Sequence, residues 1–172
     1  YSVMLFHRNL VYFRYCTVAG MPPAVFTAAR FTFFLMVVTF LAVLITSIVS
    51  VSIPVNRPLL AFLGFLILGA IYGAFGGAVG VLSKDFLIAV LLIVLLANLD
   101  AGWLQNPVYY AYAQDAKLIR LLPAFFPCQF IFSVVFSDRV NIRALILSLS
   151  YATGFLLALF VLVSLKLKGV LR

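Results

Sequence analysis

The sequence predicts an all-α polytopic membrane protein. It has four transmembrane helices, a cytoplasmic amphipathic helix ahead of them and an extracytoplasmic re-entrant helical hairpin. Three observations predict it. Of 172 residues, 66% are hydrophobic and 9% are charged, against about 25% charged in an ordinary soluble domain. Four apolar runs are long enough to cross the hydrocarbon core, which takes about 20 helical residues. The net charge of +8 is scattered between those runs, a pattern of membrane topology rather than of nucleic-acid binding. A water-soluble enzyme, a disordered chain and a nucleic-acid reader are excluded. Twelve Lys+Arg and four acidic residues, all Asp, cannot cover so much apolar side chain.

The chain opens on Tyr1 with no secretory signal pattern, so it reads as the C-terminal part of a longer polypeptide. Residues 1–6 look like the end of an apolar helix. In residues 7–20 (HRNLVYFRYCTVAG), His7, Arg8, Val11, Arg14 and Tyr15 share one helical face, away from Leu5, Phe6, Leu10, Phe13 and Cys16. That is an amphipathic interfacial helix. Gly20 is its expected C-cap, and Met21-Pro22-Pro23 ends it. Residues 24–50 form the first span, with Arg30 able to snorkel to the near interface. A short Pro-containing loop leads to the second span, 59–82. Ser83-Lys84-Asp85 is a tight polar turn, and 86–104 is the third span. The fourth is 142–165, closed by Lys166, Lys168 and Arg172.

Residues 105–141 are the hairpin region. Pro107, Pro123 and Pro127 divide it into a polar piece, 108–122, and an apolar piece, 124–136. The apolar piece is too short to cross and reads as re-entrant or interfacial. A fifth crossing there is the alternative, and it would flip the C-terminus. With four spans, both ends and the 83–85 turn share one side. That side holds Arg8, Arg14, Arg30, Lys84, Lys166, Lys168 and Arg172 against Asp85. The other holds Arg57, Lys117, Arg120, Arg139 and Arg143 against Asp100, Asp115 and Asp138. The positive-inside rule puts the first side in the cytoplasm. Trp103, Tyr109, Tyr110 and Tyr112 then form an outer aromatic belt.

Catalytic residues, metal ligands and cofactor ligands are not expected. His7 is the one histidine, Glu is absent, and no hydrolase triad, zinc motif or phosphate loop occurs. Cys16 and Cys128 make no disulfide framework. Gly69, Gly73, Gly76, Gly77 and Gly80 give three GxxxG spacings in the second span, which let helix backbones approach closely. Their role is either tight packing within the subunit or a face that slides during a transport cycle. Asn98 and Asp100 lie at the far end of the third span. Asp100 is either solvated at headgroup level or lines a polar outer vestibule. The amphipathic helix either lies on lipid or docks a soluble partner through Arg8, Arg14 and the Tyr12/Phe13/Tyr15 cluster.

The order of these pieces resembles a known family. An Arg-bearing cytoplasmic helix, RNLVYFRYCTVAGMPPAVFTAAR, precedes a long span. A Gly-rich span ends at a basic turn, GAFGGAVGVLSKD. The next span breaks into a Pro-punctuated outer hairpin, LQNPVYYAYAQDAKLIRLLPAFFP, and a last span ends in a basic tail. This resembles the transmembrane permease subunit of ABC-2-type transporters, including drug exporters, over the last four of six spans and the end of the second. The resemblance implies two permease subunits, identical or not, each docked on an ABC-type ATPase subunit that holds ATP and Mg. It implies that Arg8, Tyr12, Arg14, Tyr15 and Gly20 belong to a coupling helix, and that the 107–137 hairpin closes the exit. The cargo would be an amphipathic drug or lipid exported across the cell membrane. The absence of an acidic residue near the coupling helix departs from many relatives. A channel, a scaffold subunit and a secondary transporter are the rival readings. A channel needs inward polar residues along several spans. A secondary transporter needs ionisable residues or broken helices at mid-depth.

Overall fold

The computed structural model describes residue 3, residue 20, and residues 22–105, 119–137 and 139–170. Among these it has five α-helices: α1 (Pro23–Ser52), α2 (Pro58–Leu82), α3 (Phe86–Ala97), α4 (Phe125–Phe136) and α5 (Ile142–Val170). Beyond Ala97, α3 runs on as a π-helical segment, Asn98–Leu104, and a 3-10 turn, Ile119–Leu121, precedes α4. Four segments are long and apolar enough to cross a membrane: Ala28–Ser52, Pro58–Leu82, Phe86–Leu104 and Ile142–Lys166. The four expected spans agree with these to within a few residues.

Local chemistry accounts for the ends. Pro23 and Pro58 open α1 and α2, where a missing N–H is harmless. Asp85 caps α3 by accepting from the Leu87 amide at 2.8 Å. Asn141 caps α5 by accepting from the Ala144 amide at 3.0 Å. Each satisfies a donor that the first turn leaves free. Gly20 has φ of +85°, the left-handed backbone a C-capping glycine adopts. Lys166 donates to the Val81 carbonyl near the end of α2. Inside the long helices the hydroxyls bond back along their own chain. Thr39 donates to the Leu35 carbonyl at 2.8 Å, Thr46 to Ala42 at 2.7 Å and Ser148 to Ala144 at 2.6 Å. That removes bare polar groups from an apolar environment.

α2 is the hub and packs against α1, α3, α4 and α5. Its core neighbours stack in three layers. Ala61 meets Phe130, Val134 and Ala144. Ile67 and Ile71 meet Ala152. Ala74 and Val81 meet Leu159 and Val163. The order shows that α5 runs parallel to α2, as a second and a fourth span must. Large exposed side chains such as Met36, Phe40, Leu91 and Leu157 cover the outward faces of α1, α3 and α5, which suits a lipid surround.

The glycines mark where neighbours come closest. A Cβ on Gly69 would lie 2.9 Å from Val38, and one on Gly73 would strike the ring of Phe34. One on Gly64 would lie 2.6 Å from Ile131, and one on Gly80 would lie 2.9 Å from the Val3 carbonyl oxygen. Gly76 and Gly77 are buried. The small-residue face of α2 is therefore filled within the chain, largely by α1. Phe34 is 1% exposed, so its ring is held between the two helices. Gly73→Ala is expected to lower stability by about 1–3 kcal/mol through overpacking, read as a fall in thermal midpoint in detergent. Phe34→Leu in the same chain is expected to recover most of that fall. An unchanged midpoint for Gly73→Ala would contradict this packing.

Candidate functional site: a buried carboxylate latch

Asp100 is 5% exposed, and three parts of the chain converge on it. Its Oδ2 accepts from the Tyr72 hydroxyl on α2 and from the Ala124 backbone amide at 3.0 Å. Its Oδ1 accepts from Gln105 Nε2 at 3.1 Å. Gln105 is itself 2% exposed, and its Oε1 has no hydrogen-bond partner.

The site lies deep along the helix axis. Tyr72 stands near the middle of α2, about 21 Å from Pro58 and about 15 Å from Leu82 at 1.5 Å per residue. α4 begins at this level, since Ala124 shares the carboxylate with Tyr72. It then runs antiparallel to α2, placing Ile131 beside Gly64 and Val134 beside Ala61. α3 also runs antiparallel to α2, so α3 and α4 point the same way and are broken at the latch.

The local sequence explains the break. From Asn98 the helix widens to i→i+5 bonding, closed by the Gln105 amide on the Asp100 carbonyl at 3.2 Å. Such π turns shift the face that following side chains present and recur at functional sites. The negative charge of an ionised Asp100 is disfavoured at the C-terminal end of α3 and favoured at the N-terminus of α4. Pro123 lies in the turn before α4, and Pro127 is fully buried at its third residue. There its missing N–H is one of the first-turn donors that have no helical partner. Cys128, one turn in, is a buried free thiol.

The expected outer-region residues therefore separate. Asp100 is buried among protein donors beside the middle of α2. Asn98 is exposed and donates to the Val94 carbonyl at 2.8 Å, and Trp103 is 74% exposed, so neither joins the network. Pro107 and the coupling-helix residues Arg8, Tyr12, Arg14 and Tyr15 lie outside the described residues, as do Tyr109, Tyr110 and Tyr112. Tyr72, Gln105 and the Ala124 amide were not expected. Tyr72 carried a signal, since it is the lone polar side chain in α2. Beside it, an apolar cleft of about 310 Å³ between α1 and α2 is lined by Phe34, Val38, Phe65, Gly69 and Gly73 as well as Tyr72.

Chemically, the arrangement joins α2, the end of the third segment and the start of α4 through one carboxylate. Among the described residues no group of His, Cys, Asp or Glu could hold a metal ion. No family model, curated protein or solved structure matches the chain.

Asp100→Ala is expected to free the start of α4. With Cys16 replaced by alanine, maleimide labelling of Cys128 should rise about tenfold, equivalent to about 1.4 kcal/mol of easier opening. Tyr72→Phe should give a smaller rise. Equal labelling of Asp100→Ala and the parent would show that the carboxylate does not hold α4.

Proposed function

We propose that this chain is a membrane-spanning permease subunit of an ATP-driven ABC-type exporter that moves an amphipathic drug or lipid across the cell membrane. The observation that carries the reading is the broken third segment. The third segment turns π-helical over Asn98–Leu104, and the short α4 starts beside it, anchored through Asp100. A 12-residue helix running from that depth towards the α1–α2 loop has the form of a re-entrant element that plugs an exit. The order of elements around it, quoted above, resembles that of the ABC-2 permeases. The 83–85 turn and both ends then face the cytoplasm, and 7–20 is the coupling helix. ATP and Mg belong to the partner ATPase, and a second permease subunit completes the pathway.

On this reading the chain needs no catalytic group. ATP binding closes the ATPase pair and moves the coupling helix. The rigid glycine-to-aromatic packing of α1 on α2 carries the displacement to Tyr72. The latch then releases α4. Differential binding of ATP to the two states supplies the free energy.

One observation favours a second reading. A carboxylate near mid-span beside a helix break is the mark of an ion-coupled secondary transporter. There, protonation of Asp100 rather than a partner's motion would open the latch.

The two readings differ in their energy source. The test is export of a fluorescent amphipathic dye into inverted vesicles from cells expressing the protein. The proposal expects ATP-dependent, vanadate-sensitive uptake that survives a protonophore. An ATPase should co-purify with the protein, and changing both Arg8 and Arg14 to Glu should abolish co-purification and uptake. Protonophore-sensitive uptake without an ATPase would replace the proposal with the ion-coupled reading. No uptake and no ATPase would sink both and leave a scaffold.

A further inference from the structure

The apolar cleft between α1 and α2 is a groove with a definite direction. On α1 its wall runs through Phe34, Val38, Leu41 and Ile45, and on α2 through Phe65, Leu68 and Tyr72. Steps of three and four residues keep each set on one helical face, so the groove follows the two helices. From Phe34 to Ile45 it is about 16 Å long at 1.5 Å per residue. Its volume is about 310 Å³. Leu41 and Ile45 are exposed at its rim, while Phe34 and Val38 are buried in its floor. The groove therefore opens sideways from the helix pair.

Depth and chemistry limit what can fill it. Ala28 and Ser52 bound the first span. Phe34 lies about 9 Å along the helix from Ala28, and Ile45 about 10 Å from Ser52. The groove thus occupies the middle of a hydrocarbon core about 30 Å thick, away from water and headgroups. Its walls are aliphatic and aromatic, and the Tyr72 hydroxyl is turned to Asp100. An amphipathic drug would set its polar groups against those walls, whereas drug pockets pair such groups with a few placed polar side chains. A helix from a second copy is about 10–12 Å across, and 16 Å of it would need on the order of 1,000 Å³. An unfilled groove would forfeit the dispersion contacts of its walls. The tail of a membrane lipid is flexible, narrow, apolar and aligned with the helices at this depth.

We propose that this groove holds one acyl chain of a membrane phospholipid lengthwise, packed against Phe65 and Tyr72. The chain then lies on the ring whose hydroxyl holds Asp100, so lipid and latch share one side chain. The inference rests on α1 and α2 crossing the membrane and not on the exporter reading.

The test uses the whole protein in phosphatidylcholine vesicles. A small fraction of the phosphatidylcholine carries a photoreactive diazirine near the end of one acyl chain. After irradiation, adducts are mapped by peptide mass spectrometry. Leu149 and Leu157 on α5 are the reference. Both are exposed, and they flank Ala152, which meets Ile67 and Ile71 of α2, so they lie at the depth of the groove. Phe65 and Leu68 should carry about tenfold more label, equivalent to a preference of about 1.4 kcal/mol. Leu41→Trp, which puts a larger side chain at the rim, should remove that excess and leave the α5 label unchanged. Equal labelling of groove and α5 in the parent would show ordinary boundary lipid and overturn the proposal. Groove label unchanged by Leu41→Trp would place the chain outside the groove and overturn it as well. An unlabelled groove, together with a disulfide between two copies of the Leu41→Cys variant, would give the groove to a second copy. If Leu41→Trp does not fold, the comparison within the parent still decides. Transport is not read, so failure here leaves the exporter reading untouched.

Discussion

A backbone N–H or C=O without a partner costs several kcal/mol in hydrocarbon. The rest of this structure depends on how that constraint is met at Asp100, beside the π segment and the start of α4. Uninterrupted helices satisfy themselves, as α1, α2 and α5 do. The end of the π segment, Asn98–Leu104, and the start of α4 at Phe125 are different, because each leaves backbone groups beyond a helix end. The π turn keeps the end of α3 bonded by pushing each N–H one residue further back. At the start of α4, the Asp100 carboxylate takes up the Ala124 amide from outside the helix. Tyr72 and Gln105 then share the remaining lone pairs. One side chain thus makes the break tolerable, and in doing so it joins α2, α3 and α4.

The hub role of α2 follows from its composition. Glycine and alanine on several faces let four neighbours approach it at once. The contacts are not equivalent. Against α1 the glycines receive buried side chains, Phe34 and Val38. At Gly80 the neighbour is the backbone of Val3, which cannot rotate away. At Gly64 it is the Cγ1 of Ile131 on α4. α4 packs against α2, α5 and the end of α3 and buries Phe125, Pro127, Cys128, Phe130, Ile131 and Val134. α3 packs mainly on α2 and buries little of its surface, so it is the least constrained of the helices.

The spans were legible because length and hydropathy determine them almost alone. Pro22-Pro23, Pro58 and Ser83-Lys84-Asp85 put their ends within two or three residues. The short apolar helix was legible for the same reason, since thirteen residues cannot cross. The latch was not. Asp100 falls fifteen residues after the turn at Asp85, which suggests the far end of a span if the helix runs straight and crosses fully. Nothing local in Asn98–Leu104 announces a π segment. The partners are a tyrosine 28 positions back and an amide 24 positions on, and such distances leave no periodicity to read. The lone polar residue of α2 was the available clue. A tyrosine hydroxyl deep in an apolar span must find an acceptor, and only four carboxylates exist in the chain. The glycine pattern was legible as close packing, but the side chains filling it came from α1 and could be assigned only in three dimensions.

The latch also constrains how any transport cycle can run. Freeing α4 breaks the bond to Ala124, and moving α2 away breaks the bond to Tyr72, each worth about 0.5–3 kcal/mol according to the charge on the acceptor. Thermal motion alone would leave the open state rare. A push delivered through α1 and α2 moves Tyr72 relative to α4 and strains one bond while leaving the charge unchanged. Gln105 follows Asp100 by five residues and bonds its other oxygen, so that bond travels with the carboxylate and keeps Oδ2 aimed at Tyr72 and Ala124.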